Sequence, residues 1–188
     1  RSTKLKYVEG EGSKTTILIM INEKTETIVP HVNFRVRELG DWVDKNTDDY
    51  FKDKKVIVFS LPGAFTPTCS NQQLPGFEKQ ADVFKAHGID EIYCVSVNDS
   101  FVMNAWAADQ KLENVKVIPD GNGQFTQEMG MLCQKRDKCF GQRSWRYAMI
   151  VDNYVVKRMF VEPGKTDDSP EDPYGESSPE NILKYLQG

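Results

Sequence analysis

Three short runs rich in β-branched residues alternate with helical patterns in the middle of this chain. They are VIVFS at 56–60, IYCVSV at 92–97 and VKVI at 115–118. Runs of this length without polar alternation are typical of strands that are buried on both faces of a helix-covered sheet. The alternation of strands with helices predicts an α/β fold with a central sheet.

The first helix of this alternation carries an internal proline. Apolar residues recur at three- and four-residue steps at Leu74, Phe77, Ala81 and Phe84. Gly88 then provides a C′ residue that ends the pattern. Because Pro75 removes a helical donor and clashes one turn back, we expect a kink or break near residues 74–76.

Further elements complete the predicted fold on either side. We expect a helix at 101–112 capped within 98–100, a short helix at 124–131, a hairpin of 147–151 with 154–161, and a last helix from Pro179 to Leu186 after the N-cap Ser178. At the start, Val32, Phe34 and Val36 alternate as in an edge strand, and 16–21 with 25–29 predict a β-hairpin. The prediction is a single thioredoxin-like domain over 1–188, with a mixed central sheet flanked by helices and residues 1–30 as an N-terminal β extension.

Charge and hydropathy exclude several partners. The 188 residues include 24 Lys+Arg against 28 Asp+Glu, for a net charge of -4, and no basic block. This balance argues against a nucleic-acid-binding protein. The longest apolar run, at 17–21, is far shorter than the roughly 20 residues that cross a bilayer, so no membrane partner is expected.

Four cysteines are present, at Cys69, Cys94, Cys133 and Cys139. None forms the Cys-x-x-Cys pair of a dithiol redox site or zinc knuckle. Uneven spacing in a chain of this size favours reduced thiols in a reducing compartment. We therefore expect a cytoplasmic or organellar protein, and a chain that begins at Arg1 also permits a targeting segment that has been removed.

Cys69 has the most reactive surroundings of the four. It lies in LPGAFTPTCSNQQ, where the chain turns from a central strand into a helix. A sulfur in the first helical turn faces unpaired backbone N–H groups and the positive end of the helix dipole, and both favour the thiolate. Cys94 lies inside a buried strand pattern and is expected to be an inert core thiol.

The segment PGAFTPTC makes the resemblance to a known family specific. Pro62, Thr66 and Cys69 match the Pro-x-x-x-Thr-x-x-Cys site of the peroxiredoxins. SVND, FVMNAW, PDGNG and GQRSWRYAMIVD follow in the order seen in the peroxiredoxin 5 subfamily, so the resemblance covers roughly residues 30 to 187. Within it, the chain resembles the glutaredoxin-coupled type, which includes organelle-targeted antioxidant proteins of malaria parasites.

The resemblance implies a thiol peroxidase that reduces hydrogen peroxide and alkyl hydroperoxides. Cys69 would attack one peroxide oxygen and become a sulfenic acid. Thr66 would orient the peroxide, and Arg146, directly before Tyr147, would stabilise the developing charge. Pro62 would shield the site from water. Arg143 is expected to pair with a carboxylate or to support the site, and no metal or organic cofactor is expected.

The reductant is the open part of this interpretation. The late loop GKTDDSPEDPYGESS lacks the resolving cysteine of two-cysteine relatives. We expect one essential cysteine, recycled by glutathione with glutaredoxin, and the alternative is resolution by Cys133 or Cys139 with thioredoxin. A non-enzymatic redox sensor is a further alternative. The resemblance also implies a homodimer. Reduced-thiol chemistry, with a targeting segment that can have been removed, leads us to expect the cytoplasm or an organelle, either a plastid or apicoplast or a mitochondrion.

Overall fold

The computed structural model describes residues 26–188 and the backbone of two earlier strands. In chain order the strands are β1 (Lys4–Val8), β2 (Ile17–Ile21), β3 (Asn33–Glu38), β4 (Asp41–Asn46), β5 (Lys55–Ser60), β6 (Glu91–Ser96), β7 (Val115–Pro119), β8 (Leu132–Lys135), β9 (Gly141–Ser144), β10 (Tyr147–Asp152) and β11 (Val155–Val161). The helices are α1 (Thr47–Phe51), α2 (Leu74–Ala86), α3 (Ser100–Asp109), α4 (Gln124–Glu128) and α5 (Pro179–Gln187).

The central sheet is mixed, as predicted. Its strand order is β11-β10-β5-β6-β7, with β5, β6 and β7 parallel and β10 antiparallel to both of its neighbours. The parallel strands are joined by helices, while the hairpin of β10 and β11 needs only a short turn. The result is the predicted thioredoxin-like arrangement, and β5 lies at its centre.

Both faces of this sheet are covered, which is why its strands read as continuous apolar runs. Ile57 and Phe59 of β5 pack with α2 and α5, and the ring of Phe59 stacks on Phe77 at 4.1 Å between centroids. Val56 and Val58 face the opposite side, where β3, α1 and α4 cover the sheet. Cys69 belongs to the first of these two cores and Cys133 to the second.

The N-terminal strand prediction is right in place and wrong in pairing. β2 occupies the expected residues, but it pairs antiparallel with β1 rather than with residues 25–29. In that second segment Ile28 makes one isolated bridge to Val155, and Val29 donates its N–H to the Tyr154 carbonyl. The turn that the prediction placed at 22–24 lies outside the described residues.

The interruption expected at 74–76 is found earlier in the chain, as a wide helical turn that ends just before Pro75. Helical residues begin at Pro67, and Cys69–Gln73 form a π-helical turn that leads directly into α2. The Leu74 N–H donates to the carbonyl of Cys69, five residues earlier. Turns of this kind are frequent at functional sites, and this one begins at the candidate nucleophile.

Two short hairpins were not predicted from the sequence. β3 pairs with β4, and β8 pairs with β9. The second hairpin brings Arg143 of β9 opposite Cys133 of β8, and it positions residues 132–144 beside the loop after β5. No helix in the described part of the chain is long and apolar enough to cross a membrane.

Candidate active site

Cys69 lies at the first turn of the helix that follows β5. The chain leaves the central strand at Ser60, forms the loop at 61–66, and starts the helix with Pro67 at N1, where a missing N–H costs nothing. The Cys69 side chain is fully buried and packs in the core between the sheet and α2. The structure therefore confirms the predicted position of this thiol in a first helical turn.

Arg146 brings its guanidinium to this sulfur across the sheet. It directly precedes β10, and Tyr147 pairs with Ser60 at the end of β5. That register places residues 77 positions apart beside each other, with Nη1 of Arg146 3.5 Å from Sγ of Cys69. Arg146 is 1% exposed, so its charge acts where water does not screen it.

Two further side chains hold the guanidinium in place. Nη1 of Arg146 also donates to Oε1 of Gln73, and Nη2 lies 2.8 Å from both carboxylate oxygens of Asp172. Burial lowers the pKa of Arg146, but the sulfur of Cys69 and the carboxylate of Asp172 outweigh burial, and the net pKa is raised. The arginine is therefore a permanent cation in contact with the thiol.

The loop that supplies Asp172 is tied to the fold through a buried glutamate. The carboxylate of Glu162 accepts hydrogen bonds from the N–H of Glu176 and from both the N–H and the hydroxyl of Ser177. Tyr174 of the same loop lies with its ring centroid 5.9 Å from the Arg146 guanidinium carbon. This late loop thus closes one side of the site.

Sequence reasoning missed both Gln73 and Asp172. Gln73 follows Cys69 by four residues within one helix, and that spacing is a signal that could have identified it. Asp172 had no such signal, because the loop also contains Asp167, Asp168 and Glu171. Only the folded chain shows which of these carboxylates contacts Arg146.

Thr66 and Pro62 lie on the side of the site that opens to solvent. The Thr66 hydroxyl donates to the carbonyl of Gly63 at 2.7 Å, so its proton is engaged and its oxygen can accept a further hydrogen bond. Pro62 and Thr66 line a cavity of about 120 Å³ together with Lys135, Lys138, Phe140 and Asp172. We call this cavity the lysine pocket.

Arg143 supports the loop rather than the sulfur. Its Nη1 donates to the carbonyl of Pro62 at 3.3 Å, and its Nε donates to the carbonyl of Phe140 at 3.2 Å. Burial lowers the pKa of Arg143, and the nearby Cys69 sulfur partly opposes that shift. A Cβ at Gly63 would lie 2.6 Å from Nη1 of Arg143, so glycine is required for this approach.

The other three cysteines are free thiols in different surroundings. Cys94 is fully buried in β6, and burial raises its pKa well above the usual range, with a smaller contribution from Cys69. Cys133 is buried in β8, and burial raises its pKa as well. Cys139 is exposed and ends a 3₁₀ turn with a φ of 55°.

Metal-ligating side chains do not cluster in the described part of the chain. Within those residues no group of three or more His, Cys, Asp or Glu side chains lies close enough together to hold an ion. The side chains near Cys69 are a guanidinium, an amide, a hydroxyl and one carboxylate, and that carboxylate is already paired with Arg146. The site can hold an oxygen–oxygen unit between hydrogen-bond donors and an acceptor.

Comparisons with known proteins place the chain in a family. Residues 27–175 match the model of the Redoxin family. The chain is 56% identical over 171 residues to a peroxiredoxin of Rhizobium etli, covering 86% of this chain and 96% of that one. It is 56% identical over 158 residues to the hybrid peroxiredoxin hyPrx5 of Haemophilus influenzae, covering 84% of this chain and 64% of the relative. It superposes on the crystal structure of a Plasmodium falciparum antioxidant protein, described as a 1-Cys peroxiredoxin, with a TM-score of 0.83 and 37% identity over 87% of this chain and 98% of that one.

Proposed function

Because the chain belongs to the redoxin family and is a peroxiredoxin of the peroxiredoxin 5 type, we propose that Cys69 is its peroxide-reacting residue. Thr66, Arg146 and Pro62 complete the proposed catalytic site. The observation that carries this proposal is the 3.5 Å contact between Nη1 of Arg146 and Sγ of Cys69 in a buried site. A cation held on a sulfur stabilises the thiolate, which is the form that attacks.

The first half of the reaction is a displacement at a peroxide oxygen. The Cys69 thiolate attacks one oxygen of ROOH, an S–O bond forms, and the O–O bond breaks. The leaving oxygen takes a proton and departs as ROH, while the protein keeps a sulfenic acid. Sulfur is oxidised and the peroxide is reduced. Hydrogen peroxide and alkyl hydroperoxides both carry the oxygen–oxygen unit that this step requires.

The polar groups around Cys69 suit the charge that moves in this step. Arg146 donates toward the oxygens on which negative charge develops, and Asp172 holds the guanidinium so that Nη1 faces the sulfur. The Thr66 oxygen can accept a hydrogen bond from the peroxide O–H, because its own proton is directed to the Gly63 carbonyl. Pro62 closes the wall of the site and receives a hydrogen bond from Arg143 at its carbonyl.

We further propose a one-cysteine cycle in which an external thiol reduces the sulfenic acid. Cys94 is enclosed in the sheet, and Cys133 belongs to the core on the opposite face, which supports the absence of an internal partner in either position. The structurally similar Plasmodium protein is described as a 1-Cys peroxiredoxin. Glutathione with glutaredoxin is the proposed reductant, and the thiols themselves carry the electrons without a cofactor.

Cys139 is the basis of a second candidate mechanism. It is exposed, and its neighbours Lys138 and Phe140 line the lysine pocket next to Thr66. Resolution by Cys139, with thioredoxin as reductant, would give an intramolecular disulfide. Cys133 is the weaker form of this alternative because it is buried. A redox-sensing module without turnover would use the same Cys69 chemistry but would not consume peroxide catalytically.

Steady-state peroxide consumption tests the proposal directly. Glutathione alone, glutathione with glutaredoxin, and thioredoxin are supplied in turn to the wild type, to Cys69→Ser and to the matched control Cys139→Ser. We expect Cys69→Ser to lose consumption and Cys139→Ser to retain it with glutathione and glutaredoxin. Persistent consumption by Cys69→Ser would overturn the proposed nucleophile. A disulfide between Cys69 and Cys139 in the mass spectrum after one equivalent of peroxide would instead support the second candidate.

The remaining parts of the proposal concern assembly and location. We propose one domain over residues 1–188, with 1–30 as an N-terminal extension, that forms a homodimer through contacts near the active-site loops. Phe65 of the loop before Cys69 is 52% exposed, which supports such contacts. Sedimentation velocity should give a dimer that Phe65→Ser weakens. The proposed location is the cytoplasm or an organelle interior, either plastid or mitochondrion.

A further inference from the structure

The lysine pocket holds an unpaired cation beside the site. Lys135 is 3% exposed, yet within residues 26–188 its ammonium group has neither a carboxylate within ion-pair distance nor a hydrogen-bond acceptor. Its nearest aromatic partner is Trp145, whose ring centroid lies 5.8 Å from Nζ. The nitrogen of Lys135 is not among the fully buried polar atoms that lack a partner, so it reaches the open space of the cavity, where its positive charge attracts an anion.

The carboxylates around the pocket already have partners of their own. Asp172 is bound to Arg146, Asp168 to Arg136, and Asp137 to Lys138, at 2.7 to 3.0 Å. Asp167 accepts the N–H of Gln134. The pocket therefore holds Lys135 without a carboxylate partner, and Lys138, which is paired with Asp137, at its rim.

The size and position of the pocket restrict what it can take. A cavity of about 120 Å³ holds a terminal carboxylate and the atoms next to it, but not a whole tripeptide. Thr66 lines the pocket and lies one helical turn before Cys69. Cys69 itself does not line the pocket, so a small molecule anchored here by a carboxylate would have to extend past Thr66 to reach the sulfur.

We propose that the lysine pocket is a carboxylate subsite for the small thiol that reduces the sulfenic acid of Cys69. Lys135 binds the carboxylate inside the pocket, and Lys138 attracts it at the rim. This assignment rests on the proposed function for the identity of the thiol, since glutathione carries two terminal carboxylates. The pocket acts in the second half of the cycle.

The subsite assists the reduction of the Cys69 sulfenic acid, which consumes two molecules of thiol. The bound thiolate attacks the sulfenic sulfur, an S–S bond forms, and the S–O bond breaks. The hydroxyl takes one proton and leaves as water. A second thiolate then attacks the mixed disulfide, which returns Cys69 to its thiolate and releases the oxidised disulfide of the small thiol.

The test compares two thiols that differ only in charge. Protein treated with one equivalent of hydrogen peroxide is mixed with glutathione or with glutathione diethyl ester, and mixed-disulfide formation on Cys69 is followed by quenched-flow mass spectrometry. We expect Lys135→Met to lower the rate constant for glutathione about tenfold and the exposed Lys138→Gln to lower it about threefold. The diester rate should change less than twofold in both, and Lys157→Met, an exposed lysine of β11, is the matched control.

The possible results distinguish a wrong subsite from a wrong reductant. Equal losses with both thiols, or no loss with glutathione in either variant, would overturn the subsite. Binding of unreactive S-methylglutathione to Cys69→Ser is measured by calorimetry as an independent readout. If glutathione fails to reduce the wild type but S-methylglutathione binds in a Lys135-dependent way, the subsite stands and the proposed reductant is wrong. If the wild type is reduced and Lys135→Met is unaffected, the reductant stands and the subsite is wrong.

Discussion

Cys69 and Cys94 are both fully buried on the same side of the central sheet, but their surroundings are opposite. Cys94 lies in the middle of β6, where burial raises its pKa well above the usual range. Cys69 lies at a helix start with a guanidinium 3.5 Å from its sulfur. Burial alone favours the neutral thiol, so a reactive thiol in a core requires a buried cation beside its sulfur.

Removing the Arg146 cation should abolish most of the difference in reactivity between Cys69 and Cys94. Arg146→Leu fills the buried position with an apolar side chain and removes the hydrogen-bond donor to Cys69 and to the oxygens on which charge develops. We expect the second-order rate constant for hydrogen peroxide to fall by about 10²- to 10³-fold, as for the loss of one preorganised donor. Stopped-flow measurement of peroxide consumption gives the constant. Arg143→Lys is the control, and a loss of similar size there would show that the loop, and not the cation on the sulfur, controls the rate.

Because the pKa of Cys94 is raised, the free energy of unfolding should depend on pH in the alkaline range. Its pKa is raised in the folded chain, so its contribution to stability is complete below the unfolded thiol pKa of about 8.5 and is lost as pH rises above it. Cys94→Ala removes this contribution. Between pH 8.5 and 10 the free energy of unfolding of the wild type should fall more steeply, by up to about 1.4 kcal/mol per pH unit.

Urea denaturation at several pH values measures these slopes for both proteins. Cys133 also has a raised pKa and is present in both, so it cancels in the comparison. Parallel slopes for wild type and Cys94→Ala would show that Cys94 ionises as easily in the folded chain as in the unfolded one. That result would contradict the contrast with Cys69.

Weakening the contact between Asp172 and Arg146 should have the smallest effect on peroxide reduction. Asp172→Asn removes the charge that holds Nη2 of Arg146 but retains a hydrogen-bond acceptor of the same size. Because the Asp172 side chain is 39% exposed, solvent weakens the pair, and we expect only a roughly three- to tenfold decrease in kcat/KM for peroxide. The adjacent exposed Glu171→Gln should leave this value unchanged. A loss confined to stability, with kcat/KM intact, would assign Asp172 a structural role alone.

The fold and the candidate site differ in how much of each could be predicted from the sequence. The central strands and the main helices could be predicted because their apolar periodicity is local and strong, as in residues 56–60 or 92–97. The meeting of Cys69 and Arg146 was predictable only through the family motif, since the two residues are 77 positions apart. Its physical basis is the register of β10 on β5.

The parts that sequence reasoning missed depend on tertiary pairing. The hairpin of β8 and β9 contains the polar strands LCQK and GQRS, which show too little apolar alternation to be recognised. The partner of β2 was wrong because strand pattern gives no information on which segment completes a hairpin. Asp172 was one of several loop carboxylates, and only the anchoring of the loop by Glu162 selects it.

The order of these residues along the chain has a consequence for biosynthesis. Arg146 follows Cys69 by 77 residues, and at translation rates of about 5 to 20 residues per second it leaves the ribosome roughly 4 to 15 seconds later. Asp172 and the glutamate-anchored loop are made later still. A nascent chain therefore carries Cys69 for seconds without its guanidinium, and the proposed peroxide chemistry requires that residues through Asp172 have been made and folded.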